Sequence, residues 1–299
     1  VVTWLFLPLL VLLHPPAWGE KAAGCRLLSH AMGESCVPAQ PRRVAVLDTG
    51  ELDMALALGV TPIAATTPYQ VGQFPAYLAQ AASPASLGVV QEPDLERLMQ
   101  LQPDLVLGSR LRHGRLYPLL SGMAPTVFSE NVGASWAENF LLFARALGRE
   151  PQAERRLAAI DARCRRIAAL HARKGHPTLS LVRSMQTHVR LYLRDSFVGS
   201  LLAHCGLDRP ASQAGGGFAR QLASPRHIKA LDGDIILLSE YAPEKGSLIR
   251  RWRDSAFWPL LGGRLYEVDD GYWMLGIGPL AAEKVLVDLE RIIDDYSPR

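Results

Sequence analysis

The strongest constraint on this chain is an alternation of short β-rich runs with helical stretches that occurs twice, once on each side of a single long helix. On the first side the β-rich runs are 43–48, 61–65, 104–108 and 125–128, separated by helical patterns at 51–58, 74–82, 94–101 and 116–121. Connections this short belong to α/β units around a largely parallel sheet. Two helical stretches follow, 136–147 and 152–172, broken near Gly148. In the second, Leu157, Ile160, Cys164, Ile167 and Leu170 recur at spacings of three and four and form one apolar stripe. Arg155, Arg156, Arg163, Arg165 and Arg166 fall mostly off it and read as a solvated face. The alternation resumes with strands at 178–183, 189–193, 234–239 and 265–268 and helices at 196–205, 246–254 and 280–293. The fold class expected is α/β, two Rossmann-like lobes joined by one long backbone helix, divided at 25–148, 149–175 and 176–299. With 299 residues, 48% of them hydrophobic, the chain can fill both lobes with real cores. Open parallel sheets bind ligands beyond the carboxyl ends of their strands, so a ligand is expected between the lobes.

Residues 1–24 read as an export signal. Trp4 to Leu13 is an apolar run of ten residues, the length of a secretory core and too short to cross a bilayer. Ala17-Trp18-Gly19 then offers a small-x-small cleavage site. Ala22-Ala23-Gly24-Cys25 resembles a lipoprotein box, but Ala stands where Leu is usual and Glu20-Lys21 separate it from the apolar run. Soluble export is the expectation and lipidation of Cys25 the alternative. Cys25 and Cys36 flank Met32-Gly33, where a hairpin turn would bring them into near register. In an oxidising compartment that gives a disulfide contributing about 2–3 kcal/mol, with two free thiols as the alternative. Cys164 and Cys205 lie on separate helical patterns and are expected as buried, unpaired thiols.

Lys plus Arg number 32 against 29 Asp plus Glu, a net charge of +3, too small an excess to neutralise the phosphates of a nucleic acid. Only five of those cations are lysine, and arginine's planar fork suits carboxylates and phosphates. The sequence contains no G-x-S-x-G, H-E-x-x-H, C-x-x-C or P-loop pattern, and its eight histidines are scattered. It therefore offers neither a catalytic constellation nor a bare-metal site. The string from Gly276 to Ala281 fits G-x-G-x-x-A formally, but too little chain follows for a β-α-β unit, so it reads as the start of a helix. Gly215-Gly216-Gly217 reads as a flexible connection.

The opening HAMGESCVPAQPRRVAVLDTGELDMALALGVTPIAA combines a hairpin, a Pro-Arg-Val strand and an acidic helix ending in Leu-Gly-Val. PDLERLMQLQPDLVLGS is a helix-strand unit, and VRLYLRDSFVGSLLAHCGLDRP, LDGDIILLS and RLYEVDDGYWMLGIGPLAAEKVLVDL follow in the second half. In this order the five segments resemble the substrate-binding proteins of iron-siderophore and cobalamin ABC importers, over essentially the whole chain after the export signal. RHGRLYPLLSGMAP, SWAENF and IRRWRDSAFWPLL are similar to the ferric-dicitrate members. The resemblance implies a class III periplasmic binding protein, monomeric, without cofactor or enzymatic activity. Its ligand would be a ferric siderophore or ferric citrate held between the lobes and delivered to an inner-membrane permease. Haem, cobalamin or another metal complex is the alternative ligand. A secreted α/β hydrolase with a dispersed triad and an envelope adaptor are the alternatives from other classes.

Iron in such a chelate is already coordinated, so the protein must recognise an anionic, oxygen-rich exterior, a task for arginine forks and aromatic faces. At strand ends or family-equivalent loops the candidates are Arg110, Arg112, His113 and Tyr117 in the first lobe. In the second they are Arg183, Arg190, Arg220, Tyr241, Tyr272 and Trp273, with Arg112, Arg183 and Trp273 foremost. The plainer reading of each arginine is a solvated charge, and of each aromatic a core position. For docking, the family presents one glutamate on each lobe to permease arginines. Glu96 matches the first-lobe position, but in LASPRHIKALDGD Arg226 stands where the second acid belongs, which leaves Glu240 or Glu244 to replace it.

Overall fold

The computed structural model describes residues 25–68, 72–79 and 84–297. The export signal expected at 1–24 and the end of the helix expected at 74–82 lie outside them. The chain opens on a hairpin of β1 (Cys25–His30) and β2 (Gly33–Pro38). The first lobe continues with β3 (Val44–Val46), α1 (Thr49–Ala57), β4 (Ala64–Thr67), α2 (Ala76–Ala79), β5 (Ala85–Val89) and β6 (Glu92–Pro93). It closes with α3 (Leu95–Gln100), β7 (Leu105–Ser109), α4 (Arg110–His113), α5 (Tyr117–Met123) and β8 (Thr126–Ser129). Its sheet has the order β6-β5-β4-β3-β7-β8, parallel except at β6.

Two helices carry the chain across: α6 (Trp136–Leu147) and α7 (Glu150–Arg173). Gly148, in the left-handed region, ends the first, and Pro151 opens the second, where its missing N–H costs nothing. The second lobe comprises β9 (Leu179–Ser184), β10 (Val189–Tyr192), α8 (Phe197–His204), β11 (Ala219–Leu222) and β12 (Ile235–Glu240). After these come α9 (Leu248–Arg253), β13 (Arg264–Glu267), α10 (Asp270–Trp273) and α11 (Pro279–Asp295). Here the order is β11-β10-β9-β12-β13, and β10 alone runs against the other four. The link from β9 to β10 is too short for a crossover, so β10 returns antiparallel.

The two lobes share one core. Leu107 of β7, Leu181 of β9 and Leu289 of α11 belong to a single apolar cluster with Ile160, Cys164 and Ile167 of the α7 stripe. Each such side chain contributes about 1.5–3 kcal/mol on burial, which makes α7 a strut packed from both sides. Its arginine face is only partly solvated. Arg156 donates to Glu283 at 2.6 Å and Arg163 to Glu290 at 2.8 and 3.0 Å, tying α7 to α11. These half-exposed pairs contribute about 0–1 kcal/mol each.

Cys25 and Cys36 form the expected disulfide, with their Cα atoms 5.4 Å apart. Cys164 and Cys205 are not the free thiols expected but a second disulfide, Cα–Cα 4.5 Å. Cys205 is the C-cap of α8, which ends against α7. A bridge spanning 41 residues of sequence stabilises by about 4 kcal/mol on chain-entropy grounds and pins the strut to the second lobe.

Candidate functional site

A cleft of about 730 Å³ opens where strands of the two lobes end. Val90 and Gln91 follow β5, Leu111 and Arg112 follow β7, and Asn131 and Val132 follow β8; Asp195 and Phe218 face them from the second lobe. The lobes touch at its edge, where Ala134 donates its N–H to the carbonyl of Asp195 at 3.2 Å. Gly133 beside it has φ 89°, and a Cβ there would sit 3.0 Å from the same carbonyl, so both conformation and space require glycine. The Asp195 carboxylate accepts the Gly217 N–H at 2.7 Å, so the triple-glycine connection is held in place rather than left loose.

Arg112 is the sequence candidate that this geometry places on the cleft wall. Its side chain is 34% exposed, and its Nε lies 2.5 Å from Asp48 Oδ2, a contact of opposite charges rather than an aligned hydrogen bond. Asp48 is the N-cap of α1, with Oδ1 accepting the Thr49 N–H at 2.7 Å. Beside this pair, Glu51 is buried in the first turn of α1, and its Oε2 has no hydrogen-bond partner. Burial, and after it the charge of Asp48, push the Glu51 carboxyl up to about 8, against a backbone hydrogen bond and the Arg112 charge, which pull the other way; the neutral acid is thereby favoured.

The other candidates are held elsewhere. Arg110 pairs with Glu130 at the exposed end of β8. His113 is buried and donates from Nε2 to the carbonyl of Val90 at 2.8 Å, which supports the cleft wall from behind. Tyr117 packs between His30 and Phe128 under the hairpin. Arg183, a foremost candidate for meeting the ligand, is only 5% exposed and is engaged within the second lobe. Its guanidinium grips Asp270 with both prongs, Nε to Oδ1 at 2.6 Å, donates to Tyr192 Oη at 3.2 Å and stacks 4.4 Å from the Tyr241 ring centre. Burial opposes its charge, yet Tyr192 and Asp270 outweigh that and raise its pKa. Tyr241 is buried beneath it. Arg190 lies opposite Arg183 in the β9–β10 register and donates to His188 at 3.1 Å, and Arg220 is exposed on the edge strand β11. Trp273 is a correction: at 1% exposure it is core, its indole N–H donating to Asp288 at 2.9 Å. Tyr272 donates to the same carboxylate at 2.8 Å, so α10 is pinned to α11 and neither ring faces the cleft wall.

Sequence reasoning missed Asp48, Glu51, Asn131, Asp195 and Phe218. All but Glu51 lie at or near strand ends, a signal that was available. Among the described residues one group could share a metal ion, His171, His176 and Asp208. It lies at the amino end of β9, opposite the end that carries Arg183, and His171 Nε2 already donates to the carbonyl of Pro177 at 2.9 Å.

Two α/β lobes on a shared helical strut, with a cleft between strand ends lined by one arginine, one aspartate, neutral amides and apolar lips, define a solute-binding protein. The chain belongs to the periplasmic binding protein family, whose model matches residues 44–249. It is 30% identical over 281 residues, 89% of this chain and 86% of the relative, to the probable siderophore-binding lipoprotein YfiY of Bacillus subtilis. It is 31% identical over 265 residues, 84% of this chain and 86% of the relative, to the achromobactin-binding periplasmic protein of Dickeya dadantii. Fe(3+)-citrate-binding proteins are also among its relatives. The structure of Staphylococcus aureus SirA complexed with staphyloferrin B superposes with a TM-score of 0.80 at 25% identity, covering 90% of this chain and 98% of that one.

Proposed function

We propose that this chain, the substrate-binding component of an ABC importer, captures an anionic ferric chelate in the interlobe cleft, ferric citrate or a carboxylate-bearing siderophore. The observation that carries the reading is Arg112. Among the described residues lining the cleft it is the one cation, and its guanidinium is reachable from solvent. Gln91 and Asn131 add neutral hydrogen-bonding groups, and Leu111 and Phe218, both largely exposed, supply apolar area on opposite lips. That set suits a ligand whose metal is already coordinated and whose exterior is carboxylate oxygen. A largely neutral ligand such as cobalamin has no use for Arg112. The Fe(3+)-citrate-binding proteins among its relatives support the carboxylate reading.

Among the described residues no helix is long and apolar enough to cross a membrane. With its sulfur bonded to Cys36, Cys25 has none left for a lipid thioether, which favours a soluble periplasmic form over a lipoprotein. For docking, Glu96 is exposed on α3 and Arg226 is exposed in the second lobe. Glu240 is held by Arg250 at 2.9 and 3.3 Å, which leaves the exposed Glu244 as the acid free to take the place of the missing one.

A thermal-shift panel of ferric citrate, staphyloferrin B, hydroxamates, catecholates, haem and cobalamin tests the reading. A ligand at 100 times its Kd stabilises the native state by about 2.7 kcal/mol. That response is expected from ferric citrate; a response to haem or cobalamin alone would overturn the reading.

A further inference from the structure

We propose that Glu51 is a positioning residue that makes ligand capture proton-linked: the chelate binds while the Glu51 carboxyl is protonated, and affinity falls once that proton leaves. The inference rests on the anionic-chelate reading of the cleft and adds to it how that site responds to pH.

Asp48, Glu51 and Arg112 form a group of two acids and one base, and the base is the residue that reaches the cleft. One guanidinium neutralises one carboxylate, and Asp48 already holds it at 2.5 Å. A ligand carboxylate arriving in the cleft competes for the same fork. An ionised Glu51 would then share a buried site with Asp48 and have no cation of its own, a costly arrangement in a medium of low polarity. As a neutral acid, Glu51 makes no claim on Arg112, which then answers only to Asp48 and the ligand.

No other described group supplies the missing charge. On its own helix, Asp53 is occupied by the N–H groups of Leu280 and Ala281 and the Tyr77 hydroxyl. From α4 come Arg112 and His113, the latter bonded to Val90. From α11 comes Glu283, which bears on Asp53 and is paired with Arg156. Strands β3 and β4 carry no titratable side chain, and α6 carries Glu138 and Arg145. Of all these, Asp48 and Arg112 are the charged side chains that act on Glu51. Its buried Oε2 has no hydrogen-bond partner, and the backbone hydrogen bond and the Arg112 charge that favour the ionised form are outweighed by burial and Asp48.

The test is calorimetric titration of ferric citrate into the wild type and Glu51→Gln from pH 6.5 to 9, each pH in two buffers of different ionisation enthalpy. Changes in ferric citrate itself affect both proteins alike, so the ratio of their Kd values isolates the residue. With the carboxyl titrating near 8, the wild type should bind about tenfold more weakly at pH 9 than at pH 7 relative to Glu51→Gln, and take up close to one proton per ligand at pH 9. Glu51→Gln, which cannot ionise, should lose this pH dependence. Equal pH profiles overturn the proposal, as does a wild type that takes up no proton at pH 9, a measurement that stands even if the variant fails to fold. Binding by neither protein at any pH overturns the ligand reading and this proposal with it.

Discussion

Asp53, in the first lobe, accepts the backbone N–H of Leu280, at the head of the last helix, at 2.8 Å across 227 residues of sequence. Ala281 donates to the same carboxylate at 2.9 Å and the Tyr77 hydroxyl at 3.0 Å. One buried acid therefore caps α11, and a Cβ on Gly278 would strike it. The Gly-x-Gly string that fits a nucleotide-binding pattern exists here to let Asp53 and the helix approach. Asp53→Ala strands these donors and should cost about 2–3 kcal/mol in denaturant unfolding. A loss under about 0.5 kcal/mol would show that the cap is not holding the lobes together.

Arg183 and Asp270 form a buried pair, and removing one partner leaves the other charged without its counter-ion. Arg183→Ala should lower unfolding free energy by about 3–5 kcal/mol. The double variant Arg183→Met with Asp270→Leu should recover most of that. Full stability in Arg183→Ala would return Arg183 to the list of ligand contacts.

Glu51 also leaves a signature in stability. Its folded carboxyl titrates near 8, above the ordinary value of 4.5, so the folded state holds that proton more tightly than the unfolded chain. Stability contributed by the protonated form is complete below about 4.5 and is lost as pH rises through 8. Glu51→Gln should therefore melt with the wild type at pH 4.5 and above it at pH 9. Parallel melting curves across that range would exclude a raised pKa.

Much of the fold was legible because burial leaves a local period: the 152–172 stripe and the alternation of strand and helix are both written within a few residues of each other. What escaped depends on neighbours distant in the chain. Strand β11, Ala-Arg-Gln-Leu, has no β-branched residue and exists because β10 offers it an edge. Cys164 meets Cys205 only once α8 docks on α7. At the site, strand ends mark where functional side chains gather but not which way each turns. Arg112 faces the cleft, whereas Arg183 is taken by an aspartate 87 residues away. Glu51 looks in sequence like any acid in the first turn of a helix, and only the packing around it removes its solvent.

For docking, Glu96→Arg should abolish growth on the chelated iron source while leaving ligand Kd unchanged, because Glu96 is exposed on α3 and does not line the cleft. Arg226→Glu should alter permease coupling, also without touching Kd. Normal uptake by both variants would remove α3 and the Arg226 segment from the docking surface.

The central claim, that Arg112 recognises the carboxylate exterior of a ferric chelate, is tested most directly by titrating ferric citrate into the wild type and Arg112→Ala at pH 7 and measuring both Kd values. Loss of one charge-assisted contact of about 1.5–3 kcal/mol predicts a Kd weakened by roughly 10- to 150-fold in the variant. Equal affinity in the two folded proteins would contradict the account.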